Sequence, residues 1–136
     1  MEQTLITEEK LENGVTLRLY DASRKLAGDR WLVALEICAL VPVEKDDTLK
    51  DDQTGDLISI RPAMGDLIPF EQKRERYFID EREKASVFNQ MVESFRSSTR
   101  NYLAHPQFPS RFVTKAFRKY LEKKRLNELI NTDRDK

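Results

Sequence analysis

At 136 residues and 16.0 kDa the chain is the size of one domain, since domains cluster at roughly 100–150 residues. With 39% hydrophobic and 35% charged residues it has apolar side chains for one core and none to spare. The 24 Lys and Arg balance 24 Asp and Glu, so no net field draws the whole molecule to nucleic acid or an anionic membrane.

Single residues exclude more. Cys38 is the one cysteine and His105 the one histidine, which removes an internal disulfide, a zinc ribbon and any two-histidine metal site. Gly14, Gly28, Gly55 and Gly65 build neither a phosphate loop nor a dinucleotide fingerprint. No cofactor and no metal are expected. Residues 1–10 carry Glu2, Glu8 and Glu9 and lack the basic-then-apolar order of a secretion signal. The most apolar stretch, residues 31–43, is interrupted by Glu36 and falls short of the ~20 residues of a membrane helix. A cytoplasmic protein without membrane contact is expected.

Along the chain, Asn13-Gly14 is the first strong signal, a hairpin turn of the type that needs positive φ at both central residues. Val15, Leu17 and Leu19 then alternate with Thr16, Arg18 and Tyr20, as in a half-buried strand. The phrase Leu11-Glu12-Asn13-Gly14-Val15 locally resembles the first strand pair of pitrilysin-type zinc peptidases. That family's metal site needs two histidines and a Glu, and His105 stands alone, so the resemblance is one of hairpin chemistry. Residues 21–30 read as a polar connection. Residues 31–41 read as a central strand covered on both faces, with Glu36 the one charge and Cys38 a small core residue, ended by Pro42. A pair between Glu36 and Arg18 is the expected use of that charge; a catalytic acid with a raised pKa is the rival reading. The connection with Asp21, Ser23, Arg24, Asp29 and Arg30 is a second candidate pocket wall, otherwise an ordinary turn.

Residues 44–56 form an acidic loop expected to be mobile. Aligning Gly55 with the glycine of a calcium loop places Lys50 and Arg61 at ligand positions, which excludes that site. Residues 57–69 read equally as strand or as a helical turn ending at Gly65. Residues 70–79 (FEQKRERYFI) read as a strand whose charged middle solvates an edge. At Asp80 the period changes: Asp80 with Glu83 is a capping-box pair, so a helix is expected to begin just after an Asp80 N-cap. Phe88, Met91, Val92, Phe95, Thr99, Tyr102 and Leu103 then share one helical stripe. His105-Pro106 and Pro109 separate it from a second helix starting near Ser110, which presents Phe112, Val113, Ala116, Phe117, Tyr120 and Leu121 on one face. Residues 131–136 read as a disordered tail. Strands first and helices last give one α+β domain, residues 1–136, with an N-terminal antiparallel sheet of three to four strands packed against two C-terminal helices.

The phrases Ala27-Gly28-Asp29-Arg30-Trp31 and Phe70-Glu71-Gln72-Lys73-Arg74-Glu75-Arg76 resemble those of a small uncharacterised bacterial protein family. The resemblance covers most of the chain and implies no activity or site.

Binding residues are sought on the last helix. Arg111, Lys115, Arg118 and Lys119 form a basic stripe, but Phe112, Phe117 and Tyr120 point to the other side, away from any base they would stack on. Further on, Lys123 and Lys124 occupy the positions that would continue the apolar stripe. Leu126, Leu129 and Ile130 emerge on a different side, where either the helix frays or they meet another surface. The preferred function is a non-enzymatic protein-interaction module using this helix, with a protein partner or weak self-association. The alternatives are a nucleic-acid-binding domain using its basic face and a small carboxylate-dependent enzyme.

Overall fold

The computed structural model describes residues 3–134, with side chains as far as residue 131. β1 (Thr4–Lys10) and β2 (Thr16–Asp21) form an antiparallel hairpin. Its turn lies at Asn13-Gly14, yet only Gly14 has positive φ, +90°. Leu11 N–H donates to the Val15 carbonyl at 2.7 Å and Gly14 N–H to the Leu11 carbonyl at 3.1 Å. This is the three-residue loop in which a turn is followed by a left-handed glycine. Asn13 stays at negative φ and works through its side chain, where Oδ1 accepts from Val15 N–H at 3.1 Å.

β3 (Arg24–Ala27) and β4 (Arg30–Pro42) correct the reading of residues 21–30. β2 and β3 share one register against β4: Thr16 lies opposite Leu40, Asp21 opposite Leu35, Arg24 opposite Leu32 and Lys25 opposite Trp31. Between them Ala22 N–H donates to the Ala34 carbonyl at 3.0 Å, and Ser23 Oγ accepts from Ala34 N–H at 3.0 Å. The polar connection is thus the far arm of one long hairpin turned at Gly28-Asp29. Arg24 and Lys25 carry no apolar alternation, and cross-strand bonding to β4 makes them a strand.

β5 (Thr48–Lys50) and β6 (Leu57–Ser59) pair as a separate two-stranded sheet. The segment read as an acidic loop therefore contains a strand, with Leu49 buried. One helical turn, α1 (Arg61–Met64), ends at Gly65. β7 (Leu67–Asp80) then pairs antiparallel with β4 over its whole length, as the fifth strand of the main sheet. Its charged middle stands on the sheet's edge, as the sequence led us to expect.

α2 (Lys84–Ser98), α3 (Arg100–Leu103) and α4 (Phe108–Arg134) close the chain. The expected helix start moves by three residues. Asp80 Oδ1 accepts from Arg82 N–H at 2.9 Å and caps the turn before the helix, whereas the N-cap residue is Glu83, without a side-chain cap. The stripe to Leu103 is also interrupted. Ser98 Oγ donates to the Ser94 carbonyl at 2.6 Å, Thr99 takes φ −118°, and its Oγ1 accepts from Arg74 at 2.9 Å. Such side-chain bonding back to the preceding turn bends helices. α4 begins at Phe108 and stays helical to Arg134, through residues 131–134 of the expected tail; residues 135–136 lie outside the described residues.

The fold is α+β, with its helices on one face of the main sheet. Leu17, Leu19, Val33, Leu35, Ile37, Ala39 and Val41 on the sheet meet Met91, Phe95, Leu103, Phe108, Val113 and Phe117 from the helices, all buried. The other face of β4 is covered only at Leu32 and Ala34, and Glu36, Cys38 and Leu40 are half-buried. The reading of β4 as covered on both sides fails there. Cys38 is not a core residue, although burial and then the nearby Glu71 carboxylate push its thiol pKa up, which makes it a poor nucleophile.

Candidate interaction surface on the last helix

α4 is positioned by rings at its start. Phe70 on β7 meets Phe108 edge-on at 6.0 Å and Phe112 at 5.8 Å, and Tyr102 meets Phe108 at 5.0 Å. Farther along, Val113 and Phe117 are fully buried. Tyr120 was expected on the core side; it stacks on Phe117 at 5.9 Å but stays 38% exposed.

Arg111, Lys115, Arg118 and Lys119 are all exposed on the side away from the sheet. Arg111 donates to Oε1 of Gln107, in the turn just before α4, at 2.5 Å. At about 100° per residue, Arg111, Lys115, Arg118, Glu122, Leu126 and Leu129 follow one another along a single outward stripe. The basic and the apolar residues singled out in the sequence therefore share one face, basic toward the start of α4 and apolar toward its end.

Beyond Leu121 every residue of α4 with a described side chain is exposed. Leu126, Leu129 and Ile130 show 57%, 65% and 42% of their surface. A helix of 27 residues is about 40 Å long, and its last third buries none of its described side chains. Arg125 ties this stretch to the body by donating to Asp51 Oδ1 at 3.2 Å, just beyond β5. Asp51 is itself fixed by accepting from Gln53 N–H at 2.8 Å, and that bond, followed by Arg125, lowers its carboxyl pKa. The acidic segment thus folds against the basic helix, and its charge is partly spent inside the molecule.

Glu36 has a different partner from the one expected. Glu36 does not meet Arg18, which lies opposite Cys38 and binds Glu8 at 2.8 Å. Glu36 lies between Tyr20 and Lys73 across three strands, with Lys73 Nζ 3.7 Å from its carboxylate. Glu36, Cys38 and Glu71 line an open concavity of about 400 Å³ on the helix-free face. His105 lies elsewhere, between α3 and α4, where its Nδ1 accepts from Gln107 N–H at 3.1 Å. Asp21 and Ser23 reach a second cleft beside Trp31, whereas Arg30 pairs with Asp80 at 3.5 Å and Asp29 at 3.8 Å near the hairpin's tip. The cleft was hidden from sequence reasoning because Lys84 and Phe88, which close it, come from α2.

Among the described residues no three His, Cys, Asp or Glu side chains are grouped to hold a metal ion, and no helix is long and apolar enough to cross a membrane. The chain matches no family model, no curated protein and no solved structure.

Proposed function

We propose that the protein is a non-enzymatic interaction module that docks through the outward face of the end of α4, and that the surface it meets is a second copy of itself. The observation that carries this is a regular helix continuing past its own core with Leu126, Leu129 and Ile130 exposed at i, i+3 and i+4. Those spacings make one apolar strip. Glu122, Lys123, Lys124, Arg125 and Glu128 around it carry both signs, which suits a two-fold contact in which one patch faces itself. In a two-fold contact six such aliphatic side chains are buried at about 1.5–3 kcal/mol each, a gain that only slightly exceeds the roughly 4–15 kcal/mol cost of association. Pairing is therefore weak, with Kd of about 100 µM or above. A chain with one cysteine suits the reducing cytoplasm, where we place it.

Sedimentation equilibrium from about 10 µM to 1 mM tests this. The expected result is a mass rising toward the dimer, abolished by Leu126→Asp with Leu129→Asp and by truncation after Arg125. A monomer throughout overturns the reading. Oligonucleotide binding tighter than about 1 µM at physiological salt, lost in Arg111→Glu with Arg118→Glu, overturns it in favour of the basic stripe.

A further inference from the structure

The cleft beside Trp31 gathers charged, polar and aromatic side chains, with Asp21 Oδ1 held by Ser23 N–H at 2.9 Å. Its volume is about 480 Å³, within the range of small-ligand sites. Trp31 forms one wall, and its indole Nε1–H is buried without a hydrogen-bond partner. It is the one such buried side-chain atom among the described residues, and a stranded donor of this kind is normally met by something that accepts. Lys84, from the first turn of α2, holds its ammonium 3.6 Å from the centre of the Trp31 ring. Asp21 faces the cleft from the end of β2. Among the described residues neither Lys84 nor Asp21 has an ion-pair partner. Ile6 and Phe88 supply apolar walls. α2 starts beside the cleft without a side-chain cap, its N-cap residue being Glu83.

We infer that this cleft is a binding site for a small aromatic carboxylate carrying a hydroxyl or amino group. The carboxylate pairs with the Lys84 ammonium over the Trp31 ring, beside the start of α2. The ring lies against Phe88 and Ile6. The hydroxyl or amine donates to Asp21, whose charge otherwise disfavours a simple anion. The site is remote from the end of α4 and independent of self-association.

The chain's single tryptophan gives one indole N–H cross-peak, a direct reporter in two-dimensional nitrogen–proton spectra. The probes are 4-hydroxybenzoate, benzoate and benzylamine. The inference expects 4-hydroxybenzoate to shift that peak saturably, with Kd of about 1 mM or tighter. Lys84→Gln weakens it about ten-fold or more. Asp21→Asn weakens 4-hydroxybenzoate but not benzoate. Ile6→Glu, a change at an exposed wall, also weakens it. Shifts that do not saturate, benzylamine binding equally well, or unchanged affinity in both Lys84→Gln and Ile6→Glu overturn the inference.

Discussion

The Asn13 side-chain amide donates to the Leu103 carbonyl at 2.7 Å and to the His105 carbonyl at 2.8 Å, so the first hairpin turn holds the end of α3. Helix ends leave carbonyls without intrahelical partners, and here one side chain satisfies them while its Oδ1 closes its own turn. Asn13→Asp keeps the acceptor but replaces the donor with a charge aimed at two carbonyls. Asn13→Asp and Asn13→Ala should each destabilise by about 1–3 kcal/mol, with Asp the worse, as measured by urea denaturation. Equal stability of Asn13→Asp and wild type would show the contact to be idle.

A second long-range tie should give stability a pH dependence. Arg100 makes a two-pronged contact with Glu9 of β1. That hydrogen bonding, opposed in part by desolvation, lowers the Glu9 pKa from 4.5. Since the folded pKa lies below the unfolded one, the contribution is complete above the unfolded value. It is lost as pH falls through the folded one. The pair is about one-third exposed, so solvent screening limits it to roughly 0.5 kcal/mol. Glu9→Gln should flatten the acid limb of a stability–pH curve by that amount and leave the slope above pH ~6 unchanged.

Strain is stored at Phe78, the one described non-glycine residue with positive φ, +58°, and 71% exposed. Trp31 lies opposite Ile79 and Val33 opposite Arg76, so β7 carries one extra residue there, a bulge. Left-handed backbone costs an L-residue roughly 1–2 kcal/mol, and so exposed a ring regains little by burial. Phe78→Gly should raise stability by about 0.5–1 kcal/mol, whereas Phe78→Ala should be nearly neutral. Thermal unfolding of both variants checks this; a destabilised Phe78→Gly would mean that the ring packs in solution.

What the sequence made legible were the elements whose pattern and partners agree. Val15, Leu17 and Leu19 alternate because one side of β2 faces the core, and Val113 to Leu121 repeat helically because one side of α4 does. The misses fall where tertiary contacts decide. Arg24 and Lys25 are strand by the grace of β4. Thr48 to Lys50 pair with Leu57 to Ser59 despite the surrounding acids, because Leu49 finds a buried seat. The interruption at Thr99 is accompanied by a hydrogen bond from Arg74, which no local pattern announces. Of the candidate surfaces, the basic and apolar residues of α4 could be chosen from spacing alone. The Trp31 cleft could not, because its walls come from β1, β2, β4 and α2, and only the fold brings them together.

The end of α4 yields the last prediction. Residues 122–131 are rich in good helix formers, such as Leu, Lys, Glu and Arg, yet they have no core to rest on. A helical stretch that short is marginal in water by itself, and Arg125–Asp51 is an exposed pair worth at most about 1 kcal/mol. In dilute solution the amides beyond residue 125 should therefore exchange with solvent quickly, unlike those of Val113 to Phe117. Pairing with a second copy would bury Leu126, Leu129 and Ile130, and protection there should rise with protein concentration. Hydrogen exchange at about 10 µM and 1 mM, in wild type and in Leu126→Asp with Leu129→Asp, makes the comparison. Concentration-dependent protection confined to residues beyond 125, and absent from the variant, is the expected outcome. Protection that is high at both concentrations would mean that the helix end is stable alone and needs no partner to hold it.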